Sequence, residues 1–141
     1  MEKQIIDDKI KELFISSRVI ALVGASNNKE KESNKVMRFL QRAGYKVIPV
    51  NPTCINNFIH GEKVYGSLTD IEQKVDIVDV FRPSEEAEEI ANQAIKIGAN
   101  VLWLQLDIKN DKARDSVIKN NIYYISNKCT KIEFERLFKG S

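Results

Sequence analysis

Histidine is nearly absent: His60 is the only one in 141 residues. A nucleophile–histidine–acid triad has no support in such a chain, and a zinc site of mixed His and Cys ligands would consume nearly every candidate. The two cysteines, Cys54 and Cys129, lie far apart and form no CxxC pair. With no secretory signal in view, both are expected as reduced thiols and no metal is expected. Long apolar runs are missing too, since none approaches the roughly 18 residues of a membrane span. The opening Met1-Glu2-Lys3-Gln4 leads into an acidic amphipathic segment, not the apolar core of a signal peptide. A cytoplasmic chain is expected. Excess charge of one sign is equally scarce. The net charge of +2 is too small for a general nucleic-acid or membrane binder, so any anion site must come from local placement.

What is present suits one domain. Hydrophobic residues at 43% and charged residues at 30% are enough to bury one sheet under two helical layers. Ile6, Ile10, Leu13 and Phe14 recur at helical spacing and predict an amphipathic first helix. Residues 18–23 are a nearly continuous, β-branched apolar run, as expected of a strand buried on both faces. Gly24 ends it, and a polar loop follows. Ser33 is placed to cap a helix bearing Val36, Phe39, Leu40 and Ala43, which Gly44 closes. Residues 46–50 then form a short strand. The same grammar repeats: strand 76–81, a break at Arg82-Pro83, and a helix capped by Ser84 with Ala87, Ile90, Ala91, Ala94 and Ile95 on one face. Strand 101–104, a polar helix over about 111–119 and strand 122–125 follow. Thr130-Lys131-Ile132-Glu133 matches a capping box opening a last helix with Phe134, Leu137 and Phe138.

Strands alternating with helices predict an α/β domain with a five-stranded parallel sheet and right-handed crossovers. The expected architecture is a single Rossmann-like, three-layer domain over residues 1–141, with its core at about 18–138. The expected strand order is 3-2-1-4-5, flanked by an N-terminal and a C-terminal helix. Ligands of such sheets bind beyond the carboxyl ends of the strands, where the chain changes direction across the sheet. That rule selects residues 24–34, 51–58, 82–84 and 105–110.

The first of these loops is the most informative. Gly24-Ala25-Ser26-Asn27-Asn28 joins a buried strand to a helix N-terminus, where backbone N–H groups and the dipole favour phosphate. Ser26, Ser33 and Asn34 add hydrogen-bonding groups, while Lys29, Lys31 and Lys35 add positive charge. The plainer reading is a tight turn at Gly24 beside a solvated lysine face. As a dinucleotide fingerprint the loop is poor, because Gly24 stands alone where GxGxxG needs three glycines. Many NAD enzymes also place an acid at the end of the second strand, and this chain has Asn51-Pro52.

Several segments together carry a family resemblance. They are Val23-Gly24-Ala25-Ser26, Gly44-Tyr45-Lys46-Val47-Ile48-Pro49-Val50-Asn51-Pro52 and Val64-Tyr65-Gly66-Ser67-Leu68. Asp76-Ile77-Val78-Asp79-Val80-Phe81-Arg82, Leu102-Trp103-Leu104-Gln105 and Cys129-Thr130-Lys131-Ile132-Glu133 complete the set. In this order the chain resembles the bacterial and archaeal CoA-binding domain proteins, stand-alone relatives of the N-terminal domain of the succinyl-CoA synthetase alpha subunit. The resemblance implies a Rossmann-like fold and coenzyme A as ligand. It implies that Gly24, Ala25 and Ser26, with Asn27 beside them, hold the pyrophosphate, and that Asn51 and Pro52 border the adenosine end. Phe81, Arg82 and Pro83 would form another wall, with Trp103 and Gln105 near the pantetheine. One departure stands out: the family commonly shows Asp two positions before the residue equivalent to Cys129, and this chain has Asn127.

Each residue also has a structural reading. Trp103 suits a core, Cys129 a small buried hydrophobe, Glu133 a capping acid, Arg82 an exposed strand end, and His60 a solvated loop. The synthetase relatives keep their phosphorylated histidine and nucleotide-grasping parts in other domains or subunits. The functional expectation is therefore a CoA- or acyl-CoA-binding protein without catalysis of its own. The alternatives are an NAD(P)-linked oxidoreductase or redox sensor, and a subunit of an acyl-CoA synthetase. No nucleic-acid or membrane partner is expected.

Overall fold

In a computed structural model, which describes residues 1–138, the expected alternation appears with an inserted hairpin. The elements are α1 (Glu2–Ser16), β1 (Val19–Val23), α2 (Glu32–Arg42) and β2 (Lys46–Val50). A small antiparallel pair follows, β3 (Phe58–Ile59) with β4 (Glu62–Lys63), then a 3₁₀ turn at Leu68–Asp70. The second half is β5 (Ile77–Val80), a 3₁₀ turn at Ser84–Glu86, α3 (Ala87–Lys96), β6 (Val101–Leu104), α4 (Asp111–Lys119), β7 (Tyr123–Ile125) and α5 (Thr130–Phe138).

The five parallel strands lie in the order β2-β1-β5-β6-β7. Counted without the hairpin this is 2-1-3-4-5, so the third long strand sits beside the first and not outside the second. Two local features explain the difference from the expected 3-2-1-4-5. The position outside β2 is taken by a single parallel bridge between Val50 and Tyr65. The Asp76 carboxylate then accepts the backbone N–H groups of Arg18 and Val19 at 2.8 and 2.9 Å, fixing the start of β5 next to β1.

Alternating strand residues divide the core into two layers. Ile20, Leu22, Ile77, Val101 and Trp103 pack under α1, α2 and α5, with Ile10, Phe14, Val36, Met37 and Leu40. Ala21, Val23, Val78, Val80, Leu102 and Leu104 pack under α3 and α4, with Ala87, Ile90, Ala94, Ala113 and Val117. Covering both faces is what makes the strand sequences continuously apolar. The helix after β1 goes to one face and the helix after β5 to the other. Because β1 and β5 are neighbours, the change of direction falls between their carboxyl ends.

Three expected caps are built differently. Helix α2 begins at Glu32 with Lys31 at the cap position, which places Ser33 inside the first turn. Ser84 opens a 3₁₀ turn, and its hydroxyl accepts the Lys109 N–H at 3.2 Å. Thr130 makes no capping box, because it is already the first residue of α5 and the Glu133 N–H donates to the Cys129 carbonyl at 2.9 Å, while the Thr130 hydroxyl donates to the Asp79 carboxylate at 2.9 Å. Glu133 instead pairs with Arg136 at 2.7 Å.

Candidate functional site

The crevice between the β1 and β5 ends is a cleft of about 480 Å³, within the roughly 300–1,000 Å³ of small-molecule sites. Val23, Gly24, Val50, Asn51 and Pro52 form one side, while Arg82, Glu85, Glu89, Ile90 and Gln93 form the other. A more voluminous depression runs along Lys9, Leu13, Asn100 and Tyr123. It lies at the outer strand and not at the change of direction, so the topology selects the cleft.

Gly24 is required by the protein itself. Its φ is +93°, and a Cβ placed there would stand 2.6 Å from the Phe81 carbonyl oxygen. The glycine thus lets the ends of β1 and β5 close together. Its N–H and that of Ala25 both donate to the Val50 carbonyl, at 3.0 and 3.3 Å. Neither is free for a phosphate. Among the described residues, the backbone N–H groups of Ser26, Asn27, Lys29, Glu32 and Ser33 have no such partner. These are the donors the turn offers. The Ser26 hydroxyl accepts the Asn28 N–H at 3.1 Å and keeps its own proton to donate. Ser33, only 6% exposed, carries a hydroxyl without a hydrogen-bond partner among the described residues.

Asn34 shapes this turn. Its side-chain Nδ2 donates to the Ser26 carbonyl at 2.8 Å, and its Oδ1 accepts from His60 Nε2 at 2.9 Å. His60 is therefore a strut between the hairpin and α2, not a solvated loop residue. Asn51 does similar work for the second wall. Its Nδ2 donates to the Ala25 carbonyl at 2.8 Å, while its Oδ1 accepts from the N–H and hydroxyl of Thr53 at 2.9 and 2.7 Å. Lys35 lies apart from the cleft, in a groove on the outer side of α2.

The third wall is more acidic than its sequence role implied. Arg82 is exposed and makes a two-pronged contact with Glu86, at 3.0 and 2.6 Å. That contact raises the guanidinium pKa and holds the Glu86 carboxyl below its ordinary value. Glu85 and Glu89 add two further carboxylates to the cleft. Phe81 packs on the α1–α2–α5 layer and its N–H donates to Val23 at 2.8 Å. Pro83 is exposed beside it, and neither lines the cleft.

Trp103 and Gln105 do not line the cleft. The Trp103 indole is fully buried, stacks on Phe14 at 5.3 Å and donates to the Lys128 carbonyl at 2.8 Å. Gln105 Nε2 donates to the Asp79 carboxylate and, at 3.2 Å, to the Thr130 hydroxyl. Asp79 is completely buried, and desolvation pushes its carboxyl up to about 7 against the pull of the hydrogen bonds it accepts from Gln105 and Thr130. Burial likewise raises the Cys129 thiol above its ordinary value, consistent with an inert buried cysteine. The Asn127 side-chain oxygen accepts the Asp107 N–H at 2.8 Å. That contact needs only an acceptor, which Asn and Asp both supply.

Among the described residues no cluster of His, Cys, Asp and Glu is arranged to hold a metal. No described helix is long and apolar enough to cross a membrane. The sequence pattern passes over Asp79, Thr53, Ser67, Gln93 and the glutamates of the third wall. A lone acid in the apolar run Ile77-Val78-Asp79-Val80 is the one available signal.

Fold and cleft together define a Rossmann-like α/β domain with its candidate site at the change of strand direction. The chain belongs to the CoA binding domain family, which it matches over residues 18–135. It is similar to the uncharacterized protein YneT of Bacillus subtilis (strain 168), with 36% identity over 124 residues, 88% of this chain and 90% of that protein. A hypothetical protein from Pyrococcus horikoshii OT3 has the same fold at a TM-score of 0.89 and 38% identity, covering 93% of this chain and 91% of that one. The dinucleotide-forming acetyl-coenzyme A synthetase 1 of Ca. Korarchaeum cryptofilum, solved with phosphate and ADP, matches at a TM-score of 0.69 and 25% identity. That match covers 82% of this chain but only 26% of the synthetase.

Proposed function

We propose that the chain binds coenzyme A or an acyl-CoA across this crevice and carries out no reaction on it alone. The observation that carries the reading is the set of unpartnered N–H groups at Ser26, Asn27, Lys29, Glu32 and Ser33, in the loop and helix start that follow the cleft residue Gly24. Donors at the start of a helix suit a diphosphate. Asn51, Pro52 and Thr53 would border the adenosine, whose ribose hydroxyls can donate to the carboxylates of the third wall. Those same carboxylates repel phosphate, so the 3′-phosphate belongs on the outer side, toward Lys29 and Lys35. Trp103 and Gln105 would support the pantetheine end without touching it.

Calorimetry tests the reading directly. CoA should bind at least about tenfold tighter than NAD, a difference of about 1.4 kcal/mol. Equal or tighter NAD binding overturns it. The synthetase-subunit reading is favoured by the match to a quarter of the Korarchaeum synthetase. It predicts CoA-thioester formation from ATP and an acid only when a second chain is supplied. Turnover by the purified chain, lost on mutating one of its own residues, would contradict the non-catalytic role.

A further inference from the structure

Helix α2, the hairpin turn and the start of α5 enclose a second groove of about 370 Å³. Lys29, Lys35, Arg38, Arg42 and Lys131 line it, and among the described residues no carboxylate does. None of these five cations has an ion-pair partner among the described residues, whereas Arg82, Arg114 and Arg136 are all held by carboxylates. Arg38 reaches only the Gln41 side-chain oxygen, at 3.3 Å. Lys35, Arg38 and Arg42 follow one another at helical spacing, so their like charges repel on one face. The floor includes the half-buried ring of Phe39, with Lys131 Nζ 5.8 Å from its centroid.

We propose that this groove docks an extended, acidic segment of a partner protein. The groove shares Lys29 and Lys35 with the 3′-phosphate contacts proposed above, but Arg38, Arg42 and Phe39, on which this proposal turns, lie outside those contacts. The row from Lys35 to Arg42 runs about 10 Å along the helix, which is too long for one compact anion. Arg38 and Arg42 are about 6 Å apart along the axis, close to the roughly 6.6 Å between alternate side chains of an extended chain. Carboxylates at alternate positions can therefore meet successive arginines. An apolar side chain of the same segment covers Phe39, a contact that an inorganic polyanion does not provide.

The test uses a fluorescein-labelled peptide of alternating Glu and Leu, eight residues long, in anisotropy titrations at low salt. The parent chain should bind it, and Arg38→Glu with Arg42→Glu should weaken binding at least tenfold. Lys112→Glu with Lys119→Glu, on α4, should change it less than twofold. The α4 pair should also leave the CoA titration unchanged, and the peptide titrations are made without CoA, so their outcome does not depend on the CoA reading. If charge reversal unfolds the chain by circular dichroism, Arg38→Gln with Arg42→Gln replaces it, with at least a fivefold loss expected. Failure of the parent to bind, or equal losses in the groove and α4 variants, overturns the proposal. Displacement of the peptide by tripolyphosphate at lower concentration than by unlabelled peptide overturns it in favour of a phosphate ligand.

Discussion

Replacing Asp79 by asparagine should stabilise the protein at pH 8 and, at pH 4.5, change its stability by no more than about 1 kcal/mol. Asp79 is wholly buried and carries a carboxyl raised from 3.8 to about 7, chiefly by desolvation, with the Gln105 and Thr130 hydrogen bonds opposing. Among the described residues no cation contributes to its shift. Between the two values the folded chain holds a proton that the unfolded chain has lost, so stability falls as pH rises through this window. The favourable contribution is complete below the unfolded value and gone above about 7. At 1.36 kcal/mol per pKa unit, a rise of about three units corresponds to about 4 kcal/mol. The Asp79→Asn variant, having no charge to bury at this position, escapes that loss. Its side-chain amide still offers an oxygen to Gln105, and a weakened bond to Thr130 would offset the gain by about 1 kcal/mol. Urea unfolding of parent and Asp79→Asn between pH 4.5 and 8 is the assay. This range avoids the acid region, where Asp7 and Glu86, whose carboxyls are lowered by Arg136 and Arg82, lose their contributions as pH falls. A flat parent profile, or a variant deficit of equal size at every pH, would refute the reasoning.

Gly24→Ala should lower stability by at least about 2 kcal/mol in denaturant unfolding, because its Cβ meets the Phe81 backbone; an unchanged midpoint counts against that close approach. Loss of CoA binding in this variant would therefore not by itself locate the diphosphate. Trp103→Phe should cost about 2–4 kcal/mol from lost packing and the lost bond to Lys128. Its CoA affinity should stay within twofold by calorimetry, and a tenfold loss would put the indole in the site. Lys35→Ala should weaken CoA about tenfold and flatten the salt dependence of binding, whereas an unchanged salt slope removes Lys35 from the phosphate contacts.

The layers were legible because each strand is a β-branched apolar run and each helix presents a periodic stripe, both of which are local properties. Strand order was only partly legible. Nothing in residues 51–75 announces that Tyr65 takes the place outside β2, or that Asp76 fastens β5 to the amides of Arg18 and Val19. The turn at Gly24 was also found from local signals, but its chemistry differs from the local reading. Gly24 and Ala25 give their N–H groups to Val50, leaving the donors at Ser26, Asn27, Lys29, Glu32 and Ser33.

Side-chain roles that depend on distant partners were the least legible. Thr130 and Glu133 satisfy the local pattern of a capping box, yet tertiary partners claim both: Asp79 takes the hydroxyl and Arg136 the carboxylate. The buried acid takes the hydroxyl proton because it has no water to turn to, while the Glu133 N–H that a capping box would bind donates to the Cys129 carbonyl. Asp79, Gln105 and Thr130 come from β5, the end of β6 and the start of α5, separated by 26 and 51 residues from Asp79. Their contacts fix the carboxyl ends of two strands and the start of a helix in one arrangement. Two residues after Asp79 the chain reaches Phe81, whose carbonyl crowds Gly24, and then Arg82, which forms a cleft wall. The polar core therefore holds in place the strand end that shapes the site, and its residues act on ligand geometry without reaching the ligand.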